Sequence, residues 1–220
     1  MATVADYGVV VRSLRSGLPV GDPRRFYPPP GLLDAALSPD GRTLAVATGL
    51  SVQLIDAATV VTRRTLPGTG SSVWHVRFTP DGRFVVGGSV DGWARLWSAA
   101  TGRPATRAFR AHTGAALWED ISPDGRTLAT GGDDGTIRLF DLRTQSAVGA
   151  SLPGVPNKTM APLFTPDGRS LLAISNVGLA HAWNIRPDSW ARQAWAVAGR
   201  RLSRAEFSEA LPGRDYAPAC

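Results

Sequence analysis

The sequence predicts an all-β fold assembled from one repeated supersecondary unit, and three observations carry that prediction. The first is a turn signature that occurs four times: Ser-Pro-Asp-Gly-Arg from Ser38 and Ser122, and Thr-Pro-Asp-Gly-Arg from Thr79 and Thr165. The second is its spacing. The starts lie 41, 43 and 43 residues apart, longer than one hairpin, which marks a unit copied in tandem. The third is the alternation after each of the first three turns: Val52 and Leu54 around Gln53, Ala94 and Leu96 around Arg95, Ile137 and Leu139 around Arg138. That is the pattern of a half-buried strand.

Each signature is a hairpin turn. Proline pre-sets φ, the aspartate (Asp40, Asp81, Asp124, Asp167) accepts hydrogen bonds from nearby backbone, and the glycine (Gly41, Gly82, Gly125, Gly168) supplies φ > 0. The apolar run before each turn ends in Leu37, Phe78, Ile121 or Phe164, and the run after it begins at Leu44, Phe84, Leu128 or Leu171, which places two strands per unit. The alternating segments 51–56, 93–98 and 136–141 and their counterpart 178–184 make a third strand. A more polar run such as 104–110 suits an outer fourth strand. Four strands in about forty residues is a propeller blade.

Taken in order, residues 7–26 read as the third strand, turn and fourth strand of a partial blade, followed by a proline-rich connector at 26–30. Blades follow at about 31–67, 72–110, 115–152 and 159–187, the last with three strands. Beyond them, 188–220 reads as a helical tail. Asp188 or Ser189 caps a helix on which Trp190, Ala194, Val197 and Ala198 share a face, with Gly199 as its stop. Ser203 and Glu206 form a capping box for a second helix, stapled by Leu202 and Phe207 and ended by Leu211-Pro212-Gly213. The expected architecture is an incomplete propeller of about four and a half blades over 1–187, with a short C-terminal helical hairpin.

The third strands end Leu-Trp-Ser (96–98), Leu-Phe-Asp (139–141), Leu-Ile-Asp (54–56) and Ala-Trp-Asn (182–184), and with the repeat length they resemble the WD-repeat family. The resemblance implies a blade-pinning network of His112, Thr130 and Asp134 in the third blade, where Phe140 stands in place of the family's Trp and removes one donor. By alignment with the family, Leu33, Trp74, Leu117 and Met160 near the starts of first strands, with Val90 and Asp133 before the turn aspartates, belong to a partner-binding rim. Trp74 is the expected anchor. The tail is similar to segments that follow the repeats in large, chiefly actinobacterial, multidomain WD-repeat proteins, through Trp190, Ala198-Gly199-Arg200, Leu202, Ala205-Glu206, Leu211-Pro212-Gly213, Tyr216 and Cys220; it departs at Trp195, where those tails carry Cys. The resemblance implies a non-catalytic interaction scaffold or sensor in a bacterial signalling protein, with upstream domains or further blades of a longer polypeptide.

Composition narrows the function classes. The formal net charge is +6, but Lys158 is the one lysine beside 23 arginines. Four of these, Arg42, Arg83, Arg126 and Arg169, follow the turn glycines. The pairs Arg24-Arg25, Arg63-Arg64 and Arg200-Arg201 are too short to form a nucleic-acid patch alone. One cysteine, Cys220, permits no intrachain disulfide. The first thirty residues lack a secretory pattern and no run is long and apolar enough for a membrane helix, so a cytoplasmic protein is expected. The sequence has no phosphate loop with lysine, no His-Glu-x-x-His and no Gly-x-Ser-x-Gly. No catalytic, cofactor or metal residues are assigned, Asp133-Asp134 being read as turn architecture. A propeller enzyme or periplasmic-type Pro-Asp-Gly repeat protein, and a basic nucleic-acid-binding propeller, stand as alternatives to the protein-interaction reading.

Overall fold

The computed structural model describes residues 2–5, 8–11, 16, 18, 33–67, 70–154, 158–185 and 205. It divides into two compact units, Met1–Glu119 and Asp120–Cys220, and its sheets are built from antiparallel strands.

The first unit opens on a hairpin of β1 (Ala2–Ala5) and β2 (Gly8–Val11), with Ala2 opposite Val11. The sequence expectation began its partial blade at residue 7; the strand at 2–5 that pairs with β2 is an addition. A four-stranded sheet follows, of β3 (Asp34–Leu37), β4 (Thr43–Ala47), β5 (Val52–Asp56) and β6 (Thr62–Leu66). The next sheet runs β7 (Val73–Phe78), β8 (Phe84–Ser89), β9 (Trp93–Ser98) and β10 (Phe109–Arg110). Its outer strand is shorter than the predicted 104–110. Pro104 makes one bridge to Trp97, and regular pairing resumes only where Phe109 meets Ala94, because a proline cannot donate to a ladder. The alternation of β4 sends Ala45 and Ala47 into one buried cluster with Leu54, Val73, Val76, Val85 and Trp97, while Leu44 and Val46 join Ile55 in another. Both faces of this strand are therefore covered.

The unit border falls within β11 (Ala116–Ile121). The third sheet runs from it through β12 (Thr127–Gly132) and β13 (Thr136–Asp141) to two short outer strands, β14 (Ser146–Ala147) and β15 (Leu152–Pro153), which pair with opposite ends of β13. The last sheet has three strands, β16 (Met160–Phe164), β17 (Ser170–Ser175) and β18 (Ala180–Asn184). The core of the second unit joins Ala129, Ile137 and Leu139 to Met160, Phe164, Leu171 and Ala173. Of the helical hairpin expected at 188–220, only Ala205 is described, and it is helical; Ser203 and Glu206 lie outside the described residues.

The four signature turns share one geometry. Gly41, Gly82, Gly125 and Gly168 stand at φ 72°, 69°, 71° and 66°. In the first, Ser38 Oγ donates to Asp40 Oδ1 at 2.6 Å, which also accepts from the Arg42 N–H at 3.0 Å, and the Thr43 N–H donates back to Ser38 Oγ at 2.9 Å. The same three bonds recur around Thr79, Ser122 and Thr165. The leading hydroxyl is thus a part of the device that the Pro-Asp-Gly reading left out. Donation by Ser38 and Thr165, then by the following backbone N–H, holds the Asp40 and Asp167 carboxyls below their ordinary range. Gly125→Val is expected to destabilise the chain by about 1–2 kcal/mol, since a β-branched residue at positive φ clashes with its own carbonyl. Asp124→Ala is expected to cost less; urea unfolding of the two variants checks the order.

Candidate partner-binding rim

Whether an expected rim residue is exposed depends on register at the first strand of its sheet. In β16, Met160 opposes Ser175 and is fully buried. In β7 the corresponding slot opposite Ser89 is filled by Val73, and His75 opposes Gly88, so the register shifts between them and Trp74 is the extra residue of a bulge. Extruded from the ladder, Trp74 is 46% exposed. Met160, placed on the rim by its distance from the turn, is corrected to core: β16 has no bulge, so the same sequence offset points inward.

Leu33 and Val90 are exposed, held by backbone bonds from Leu33 N–H to Ala47 O and from Val90 N–H to Ser72 O, both 3.0 Å. Leu117 is half-buried, and its neighbour Trp118, which sequence reading passed over, is 43% exposed. In the first unit Leu33, Trp74, Val90 and Trp118 are therefore exposed apolar side chains. Asp133, in the second unit, is exposed.

Against Trp118 lies a largely buried polar cluster. The Trp118 ring sits 5.0 Å from the His75 ring, tilted by 56°. His75 Nδ1 is 2.9 Å from Glu119 Oε2 and 3.2 Å from the Glu119 N–H, while Nε2 faces Asp34 Oδ2 at 3.4 Å. The Glu119 backbone N–H can only donate, so it meets Nδ1 as an acceptor. Burial pushes the Glu119 carboxyl above its ordinary range, against the opposing effect of His75. The groups lie at opposite ends of the ring instead of converging on one point, and no group of three or more His, Cys, Asp or Glu among the described residues is arranged to hold a metal ion.

These carboxyls also staple successive sheets. Asp34 Oδ2 accepts from the Val76 N–H at 3.0 Å and from Arg77 at 3.2 Å. In the second unit, Asp120 Oδ2 accepts from the Phe164 N–H at 2.7 Å. Asp34, Glu119 and Asp120 were not singled out by sequence reading. Their signal is an acidic residue inside a first strand, roughly one repeat length from the group it binds.

The residues assigned to blade pinning are placed as follows. His112 and Thr130 are buried, and Thr130 Oγ1 donates to Arg138 O at 3.5 Å. Asp134 Oδ1 accepts from the N–H and hydroxyl of Thr136 at 3.1 and 2.8 Å. In the second sheet the matching Asp91 accepts from the Trp93 N–H and pairs with Arg95 at 2.7 Å. The aspartate therefore secures the turn before the third strand even where the histidine is missing.

Comparison with known proteins adds three findings. Residues 61–98 and 104–141 match the family model described as WD domain, G-beta repeat. No curated protein matches the chain. Among solved structures, the crystal structure of the computationally designed Ika4 protein is similar, with a TM-score of 0.61 and 22% identity over 70% of this chain and 91% of that one. That likeness bears on fold alone.

Proposed function

We propose that this WD-repeat chain is a non-catalytic protein-interaction module, and that its partner is a protein held at the rim formed by Leu33, Trp74, Val90 and Trp118. The observation that carries this reading is the bulge in β7, which spends a ladder position to turn Trp74 out to solvent. Bulges recur where a side chain must be re-aimed, and half-exposed tryptophans are the side chains that most often dominate interface energetics. Trp118 supplies a second anchor, fixed from below by the His75 ring. WD40 repeats generally serve protein–protein contact, and the resemblance of the tail extends the proposal to a scaffold or sensor in a longer cytoplasmic bacterial signalling polypeptide.

Affinity capture with the full chain tests the proposal, comparing wild type with Trp74→Ala/Trp118→Ala under equal loading. Each truncation is expected to cost about 2 kcal/mol of binding, roughly thirtyfold in affinity, while circular dichroism and the unfolding midpoint stay near wild type. The specific partner should disappear from the double variant. An unchanged captured set, or one that is nucleic acid and falls steeply with salt, would overturn the reading.

A further inference from the structure

We infer that the free face of the last sheet is the docking site of this chain's own C-terminal segment, residues 190–211. The inference rests on what the second strand of each sheet presents toward the sheet that follows it in the chain. Aligned on the turns, those positions are Ala45 and Ala47 in β4, Val86 and Gly88 in β8, Ala129 and Gly131 in β12, and Leu172 and Ile174 in β17. In the first three sheets all six residues are buried. The second position of each pair is small because the next first strand comes close. A Cβ on Gly88 would fall 1.4 Å from Glu119 Oε1, and one on Gly131 would fall 1.8 Å from Met160 O.

The last sheet breaks the rule. Ile174 stands where Ala47, Gly88 and Gly131 stand, and Leu172 where the others carry Ala or Val. A further repeat could not approach this face as closely as β16 approaches Gly131. Yet the face is apolar. Leu163 opposes Leu172, Ala161 opposes Ile174, and Ala180 and Ala182 flank them on β18; Leu163, Leu172 and Ile174 are all exposed. A face of this kind needs cover, and it is shaped for something other than a closely approaching blade.

The chain itself supplies that cover. It leaves the sheet from β18, where Ile185 still packs on the core, and 35 residues follow. They begin Arg-Pro-Asp-Ser, a helix start, and carry Trp190, Ala194, Val197 and Ala198 at the spacing of one helical face, then Leu202, Phe207 and Leu211. A helix laid on a sheet stands off farther than a paired blade and accepts the larger Leu172 and Ile174 between its side chains.

Thiol alkylation of the full chain in a Cys220→Ser background is the test. Val61 and Ile174 are similarly exposed in the structure, 60% and 55%. The thiol of Ile174→Cys is expected to react with maleimide at least tenfold more slowly than that of Val61→Cys in a sample shown to be monomeric by light scattering. Adding Trp190→Ala should restore the rate. Leu163→Cys repeats the measurement should Ile174→Cys fail to fold. Equal rates at the two positions overturn the inference. So does protection that appears only at concentrations where the chain dimerises, which would assign the face to a second copy, or protection that survives Trp190→Ala.

Discussion

Replacing His75 by alanine is expected to destabilise the protein by about 3–5 kcal/mol, read as a shift of the first unfolding transition in urea. The buried Glu119 carboxyl would lose its hydrogen bond to the His75 ring, which costs about 1–3 kcal/mol for an unsatisfied group. The vacated ring volume beneath Trp118 adds a cavity term of similar size. His75→Gln, which keeps an acceptor near Nδ1, should recover part of the loss. The cluster also imposes a pH dependence. Because burial raises the Glu119 carboxyl above its ordinary value of 4.5, the folded chain holds this proton more tightly than the unfolded one. Its contribution is full below about pH 4.5 and is lost as pH rises through the folded value. Glu119→Gln, which mimics the protonated acid, should remove that component: the stability of the variant relative to wild type should rise with pH over this window and then level off. A difference that stays flat would show that Glu119 is ionised in the folded state.

Gly131→Ala is expected to cost about 3 kcal/mol, at the upper end for overpacking. The added methyl would fall 1.8 Å from Met160 O and 2.8 Å from its carbonyl carbon. These are backbone atoms of a paired strand, so relief requires moving β16 as a whole. Gly41→Ala provides the contrast. Nothing lies within 4 Å of its new methyl, and only the φ of +72° opposes it, worth about 1–2 kcal/mol. Thermal or urea unfolding of both variants should show the larger loss at the glycine with ordinary φ, and the reverse order would show that β16 gives way easily.

The turns were legible because proline, aspartate and glycine act within five residues of one another, and the third strands because alternation is a local pattern. Legibility failed where one residue changed the meaning of its neighbours. Counting back from the turn treats Trp74 and Met160 as equivalent, but the bulge in β7 sends one to solvent and its absence in β16 buries the other. A bulge leaves no mark in a period-two pattern when both flanking residues, Val73 and His75, are buried. The carboxyl staples were illegible for a different reason. Asp34, Glu119 and Asp120 are bonded across 42 to 44 residues, and acidic residues in a first strand look like polar-face residues until the neighbouring sheet is present. The structural role of His75 depends on Glu119, which lies 44 residues away.

The staples also bear on how the chain acquires its structure during synthesis. Each one joins a sheet to the first strand of its successor, so none can form until that strand has emerged. The Asp34 bond waits for Val76, the His75 bond for Glu119 and the Asp120 bond for Phe164. With translation at about 5–20 residues per second, these events are separated by seconds, far slower than hairpin closure within a repeat. Maturation is then vectorial. Each nascent sheet spends several seconds with one side unsealed, and ribosome-bound chains that have emerged only to just short of residue 119 should be more susceptible to protease within 73–98 than chains that have emerged well beyond it.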